Sequence, residues 1–163
     1  MDAQEIIYLL GLQPLPEEGG FYHETYRCQE TVEGAYGPRS LSTCIYYLVT
    51  PESFSGIHRL PSDEIFHFYL GDPVEILRLY PDGSGEVSVM GHDLAASQRP
   101  QLLVPRGTWQ GSALAPGGRF ALLGTVVSPG FDFADYESGP RARLQADYPA
   151  FRDQIARLTP LGS

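Results

Sequence analysis

The chain has 163 residues, of which 42% are hydrophobic and 19% charged, a make-up that fits one globular domain of residues 1–163 and excludes a disordered or collagen-like segment. Twenty acidic residues against eleven basic ones give a formal net charge of -9, which repels phosphate backbones and anionic bilayers and so counts against nucleic-acid and membrane partners. All the basic residues are arginine and asparagine is absent as well, which excludes a lysine Schiff base, a P-loop lysine and N-glycosylation.

The opening segment, residues 2 to 10, predicts a short helix. Asp2 is placed to cap it, Glu5 completes a capping box and Gly11 supplies the stop, with Ile6, Leu9 and Leu10 as its apolar stripe. Acids at this end argue against a secretory leader, so the expected location is cytoplasmic. Cys28 and Cys44 lack paired spacing and are read as reduced thiols.

After the Pro/Gly-rich "LQPLPEEGG" the pattern changes to period two. "FYHETYRC" and "SLSTCIYYLVT" predict strands flanking the turn "EGAYGPR". Turn clusters then recur between short runs rich in Val, Leu, Ile, Phe and Tyr, which is the pattern of a sandwich or barrel. "YPDGSGEV" predicts a hairpin turn, and "RFALLGTVVS" a strand in the sheet interior. From Pro140 to Leu158, apolar residues at Leu144, Tyr148, Phe151, Ile155 and Leu158 predict a helix interrupted near Pro149. The fold class expected is all-β, with short helices at both ends.

The chemistry-bearing stretch is "HRLPSDEIFHFYLG", residues 58 to 71, followed later by "VPRGTWQG". Strict alternation puts Glu64, Phe66 and Phe68 on one face and Ile65, His67 and Tyr69 on the other, so only a bulge would bring His67 beside Glu64. The spacing of His58, Leu60, Glu64 and Gly71, then Pro105, Gly107 and Gln110, resembles the two motifs of the cupins, with Leu60 and Gln110 standing where histidines are usual. "EGGFYHETYR", "STCIYYLVTPESFSGIHRLPSDEIFHFYLGDP", "LLVPRGTWQG" and "SPGFDFADYE" extend the likeness to a family of single-domain cupins of unknown function grouped near the RmlC-type sugar epimerases.

That resemblance implies a double-stranded β-helix, the jelly-roll barrel, with a pocket at its mouth and homodimeric assembly. It implies His58 and Glu64 as the central pair: His58 a general base and Glu64 its electrostatic partner, acting on a sugar or nucleotide-sugar-like metabolite. Arg59, Tyr69, Trp109 and Gln110 are candidate ligand-binding residues. A metal-dependent dioxygenase or isomerase is the alternative, with one divalent ion on His58, Glu64 and Gln110, and His67 as a replacement ligand; two missing histidines weaken that set. A non-enzymatic binding or sensor module is the third reading. Asp63 is expected to cap a turn, Arg59 to grip an anion or pair with Asp63, and "SPGFDFADYE" to lid the barrel or, preferably, plug one end.

Overall fold

The computed structural model describes residues 1–160. Helix α1 (Ala3–Leu10) forms because both of its ends are satisfied. Glu5 N–H donates to Asp2 Oδ1 (2.9 Å), Asp2 N–H donates back to Glu5 Oε2 (2.7 Å), and Gly11 closes the helix at φ 61°. Its buried stripe differs from the expected one: Ile6, Ile7 and Leu10 pack on Leu48, Phe120 and Leu122, whereas Leu9 is 65% exposed. The sheet receiving α1 sets the helix's rotation, which eight residues of local pattern do not specify.

Two antiparallel sheets follow. The larger orders its strands β1 (Gln13–Pro14), β2 (Phe21–Arg27), β5 (Thr43–Val49), β12 (Ala121–Ser128), β7 (Asp63–Gly71) and β10 (Gln101–Val104). The smaller orders β13 (Glu137–Ser138), β6 (Ser55–Arg59), β11 (Trp109–Leu114), β8 (Val74–Leu79) and β9 (Gly85–Met90). The late strand β12 lies between β5 and β7, inside the sheet as its apolar run predicted, and β8 and β9 form the hairpin expected around "PDGS". Such non-sequential neighbours in two facing sheets make a jelly roll, with both terminal helical segments outside it.

"EGAYGPR" is more than a turn. It carries its own hairpin, β3 (Thr31–Gly34) with β4 (Gly37–Ser40), in which Pro38 stands opposite Glu33. This ribbon belongs to neither large sheet, and an unladdered edge is where a strand accommodates proline.

Burial divides into three clusters. Between the sheets lie Tyr47, Val49, Phe66, Phe68, Val74, Ile76 and Leu123. Under α1 lies the second. The third covers the outer face of the smaller sheet, where Leu144, Tyr148, Ile155 and Leu158 seal Ile57, Leu77, Leu79 and Trp109. Those covering residues come from α2 (Arg141–Asp147), a 3-10 turn at Pro149–Phe151, and α3 (Arg152–Arg157), the interruption falling at Pro149 as read. No helix among the described residues is long and apolar enough to cross a membrane.

The rotation of α1 yields a prediction for urea unfolding. Ile6→Ala empties a fully enclosed site and is expected to lower stability by about 2–5 kcal/mol, while Leu9→Ala stays within about 0.5 kcal/mol of wild type. Equal losses at both positions would mean that α1 packs in another register.

Candidate functional site

A cavity of about 490 Å³ opens between the sheets at one end of the barrel. The larger sheet lines it with Thr43, Ile45 and Tyr47 from β5, Glu64 and Phe66 from β7, and Thr125 and Val127 from β12. The smaller sheet contributes His58, and the turn between β1 and β2 contributes Glu18. Gln13, His23, Glu24, Arg27 and residues 131–133 form the rim.

Sheet geometry explains the convergence. Glu64, Phe66 and Phe68 are buried on one face of β7, as the alternation predicted, and β6 and β11 pair with His58 opposite Gln110. Gln110 Nε2 then donates to Glu64 Oε2 at 2.6 Å, joining the smaller sheet to the larger one across the interior. His58 and Glu64 are 2% and 7% exposed, so both work in a largely water-free setting.

His58 has one assigned nitrogen. Nδ1 lies 2.8 Å from the Gly56 carbonyl, and a carbonyl only accepts, so Nδ1 carries the hydrogen and Nε2 presents its lone pair to the cavity. Nε2 stands 4.0 Å from Glu18 Oε2, while the Tyr136 ring stacks on the imidazole with centroids 4.9 Å apart. Glu18 is itself oriented: Ser55 Oγ donates to its Oε1 at 2.6 Å, and its backbone carbonyl accepts from Gly56 N–H at 2.8 Å.

The turn that delivers Glu18 depends on two glycines. Gly19 and Gly20 adopt φ 99° and 75°, and a Cβ on Gly20 would stand 2.7 Å from the Tyr47 hydroxyl. Tyr47 also donates from that hydroxyl to the Gly19 carbonyl at 3.0 Å. "EGG" therefore acts as a fixed corner that directs an acid inward.

Burial pushes the Glu64 carboxyl above the usual carboxylate range, and the nearby Glu18 charge adds to the effect; His58, Gln110 and Thr125 offset part of it. Burial likewise raises the Tyr136 and Tyr47 phenols, so both remain neutral hydrogen-bonding groups.

The other candidates lie elsewhere. His67 is on the outer face, 3.0 Å from Gln101 Nε2, and Tyr69 is 46% exposed and edge-on to Tyr46. Trp109 belongs to the cluster under the C-terminal helices, with the Arg59 guanidinium 4.4 Å above its ring. Arg59 pairs with Glu137 (2.7 Å) rather than Asp63. Asp63 accepts from the Arg106 backbone at 2.8 Å, which is the expected turn service, and that cation holds its carboxyl below the usual range. Among the tyrosines, Tyr22 and Tyr47 line the cavity. Phe131 and Phe133 border it instead of filling it, so "SPGFDFADYE" lies at the mouth as a lid would and does not plug the barrel.

Of the candidate metal ligands, His58, Glu64 and Gln110 come together at the cavity and His67 does not. Gln110 already directs its amide N–H to Glu64, and His67 faces away. Among the described residues no three His, Cys, Asp or Glu side chains converge as a metal-holding group.

Relatives place this geometry in a family. The chain is 35% identical over 133 residues to an uncharacterized protein of Saccharomyces cerevisiae, an alignment covering 73% of the chain and 66% of the yeast protein. A hypothetical protein from Leishmania major superposes with a TM-score of 0.90 at 32% identity, covering 98% of this chain and 99% of the other. A Shewanella oneidensis protein superposes at 0.88 with 37% identity, covering 98% of each chain. Residues 4–139 match the family described as "Cupin superfamily (DUF985)", so the chain is a member of that branch of the cupins.

Proposed function

We propose that the barrel mouth binds a small sugar-like metabolite and performs acid–base chemistry on it, with His58 as the base. The observation that carries this reading is the fixed tautomer of His58: a buried imidazole whose free lone pair faces a cavity large enough for a metabolite. Abstraction of a proton alpha to a carbonyl would leave an imidazolium at Nε2, where Glu18 supplies the opposite charge at 4.0 Å.

Glu64 has a second part in this scheme. An ionised carboxylate there would repel an enolate, but the raised affinity for a proton favours the neutral acid, which donates a hydrogen bond to the carbonyl oxygen. Gln110 engages Oε2, leaving Oε1 for that proton. The free thiols Cys28 and Cys44 suit the cytoplasmic placement that belongs to the same reading.

The direct test is proton exchange into carbonyl sugars in deuterated water, followed by NMR. Wild type is expected to exchange the alpha proton and His58→Ala to do so about 10²–10⁴-fold more slowly. Equal rates would remove His58 from the chemistry, and ligand binding without exchange would indicate a binding module. Elemental analysis of untagged protein, before and after chelation, tests the metal-dependent alternative; one tightly held transition ion per chain would restore it.

A pH prediction follows from Glu64. Its proton is held more tightly in the folded state, so its contribution to stability is full below the unfolded pKa and is lost as pH rises through the folded value. Glu64→Gln removes that loss. The variant's thermal midpoint should match wild type near pH about 4 and exceed it at pH about 8. A constant difference across this range would show that ionisation of Glu64 is not what varies.

Homodimerisation belongs to the proposal too. Beyond the two residues paired with β1, β2 offers an edge from His23 to Arg27 that is unpaired among the described residues and carries the exposed Tyr26. Sedimentation at micromolar concentration should give twice the chain mass; a monomer there overturns it.

A further inference from the structure

The charge inside the cavity is unbalanced. Glu18, Glu24, Glu64 and Asp132 line it, and Arg27 is the one arginine among its walls. That arginine is already engaged: Nε and Nη2 donate to the two Glu24 oxygens at 3.0 and 2.7 Å, and Nη2 also reaches the Phe131 carbonyl at 3.1 Å. A phosphate or diphosphate entering the cavity would find no unpaired cation. It would meet carboxylates at both the mouth and the deep end.

The walls between those acids are aromatic. Tyr22, Tyr47, Phe66, Phe131 and Phe133 surround the same space. Carboxylates set among aromatic rings are surroundings that favour an ammonium group, since the acids attract its charge and ring faces attract cations as well. A second observation points to a ligand: His58 is 2% exposed, lines the cavity, and among the described residues its Nε2 makes no hydrogen bond, Glu18 Oε2 standing off at 4.0 Å.

We infer that the cavity selects a small molecule carrying a protonated amine beside hydroxyl groups, an amino-sugar type of ligand, with the ammonium seated against Glu18. Thr43 and Thr125 supply hydroxyls for the polar remainder of the ligand, and Glu18 sets the charge preference. The inference rests on the cavity being the ligand site proposed above, and it narrows that site's ligand to cations.

The experiment compares matched ligands on the full chain. Thermal midpoints and calorimetric affinities are measured for a panel of amino sugars, each beside its hydroxy, N-acetyl and phosphorylated counterparts. Wild type is expected to bind at least one amine about tenfold or more tightly than its neutral counterpart, with the phosphorylated form weakest and the preference shrinking as salt is raised. Glu18→Gln keeps the side-chain volume and an oxygen for Ser55, and is expected to erase the preference for the amine over its neutral counterpart.

Equal or tighter binding of neutral or phosphorylated sugars overturns the inference, as does a panel in which no amine binds. The wild-type comparison decides the matter even if Glu18→Gln fails to fold. Amine binding without proton exchange would keep the charge selection and remove the catalytic reading; exchange on neutral sugars with no preference for amines would do the reverse.

Discussion

A carboxyl group buried in the barrel organises the remainder of the site. Glu64 occupies the inward face of β7 in line with Phe66 and Phe68, so the alternation that fills the core also takes an acid out of water. Isolated burial of a polar group costs several kcal/mol, and a charge more. The cost is offset by two contacts, Gln110 from the opposing sheet and Thr125 from β12. The bond to Gln110 therefore both satisfies a buried acid and ties the two sheets together where the barrel is hollow.

Glu18 meets that acid from outside the sheets. It stands on a turn whose backbone is fixed by Gly19, Gly20 and the Tyr47 hydroxyl, with Ser55 holding one carboxylate oxygen. Two acids and one imidazole in a poorly hydrated space compete for protons, and it is their mutual placement that drives Glu64 toward its neutral form. Elsewhere the arginines are mostly engaged in ion pairs, Arg39 with Asp135, Arg106 with Asp63 and Arg157 with Glu75 among them. They neutralise acids locally and leave the cavity negative.

Much of this was legible because it is local. Period two on β7 put Glu64 inward and His67 outward, and the likeness to the cupin motifs singled out His58 and Gln110, which stand opposite each other on paired strands. Capping residues placed α1, and Pro149 placed the break in the C-terminal helix. What escaped depends on tertiary partners. Arg59 and Trp109 flank His58 and Gln110 in sequence, yet adjacent side chains on a strand point to opposite faces, and only the C-terminal helices show that theirs is covered. Glu18 carries no periodic signal; an acid before a glycine pair was its sole trace. The hairpin of β3 and β4 was obscured by Pro38, which suits a separate ribbon and not a sheet interior.

The loop at the mouth is spliced into the same strand that bears His58. β13 pairs with β6 so that Ser138 lies opposite His58 and Glu137 opposite Arg59, while Gly130 and Phe131 bond to Ser40 and Thr43 at the other end. Between these anchors the chain lays Phe131 and Phe133 on the rim and Tyr136 on the imidazole. Unzipping β13 from its neighbour would carry the phenol ring away from His58 and pull on the rim in one displacement. Access to the cavity and hydration of the imidazole are thus mechanically one variable, with the ladder between β13 and β6 as its latch.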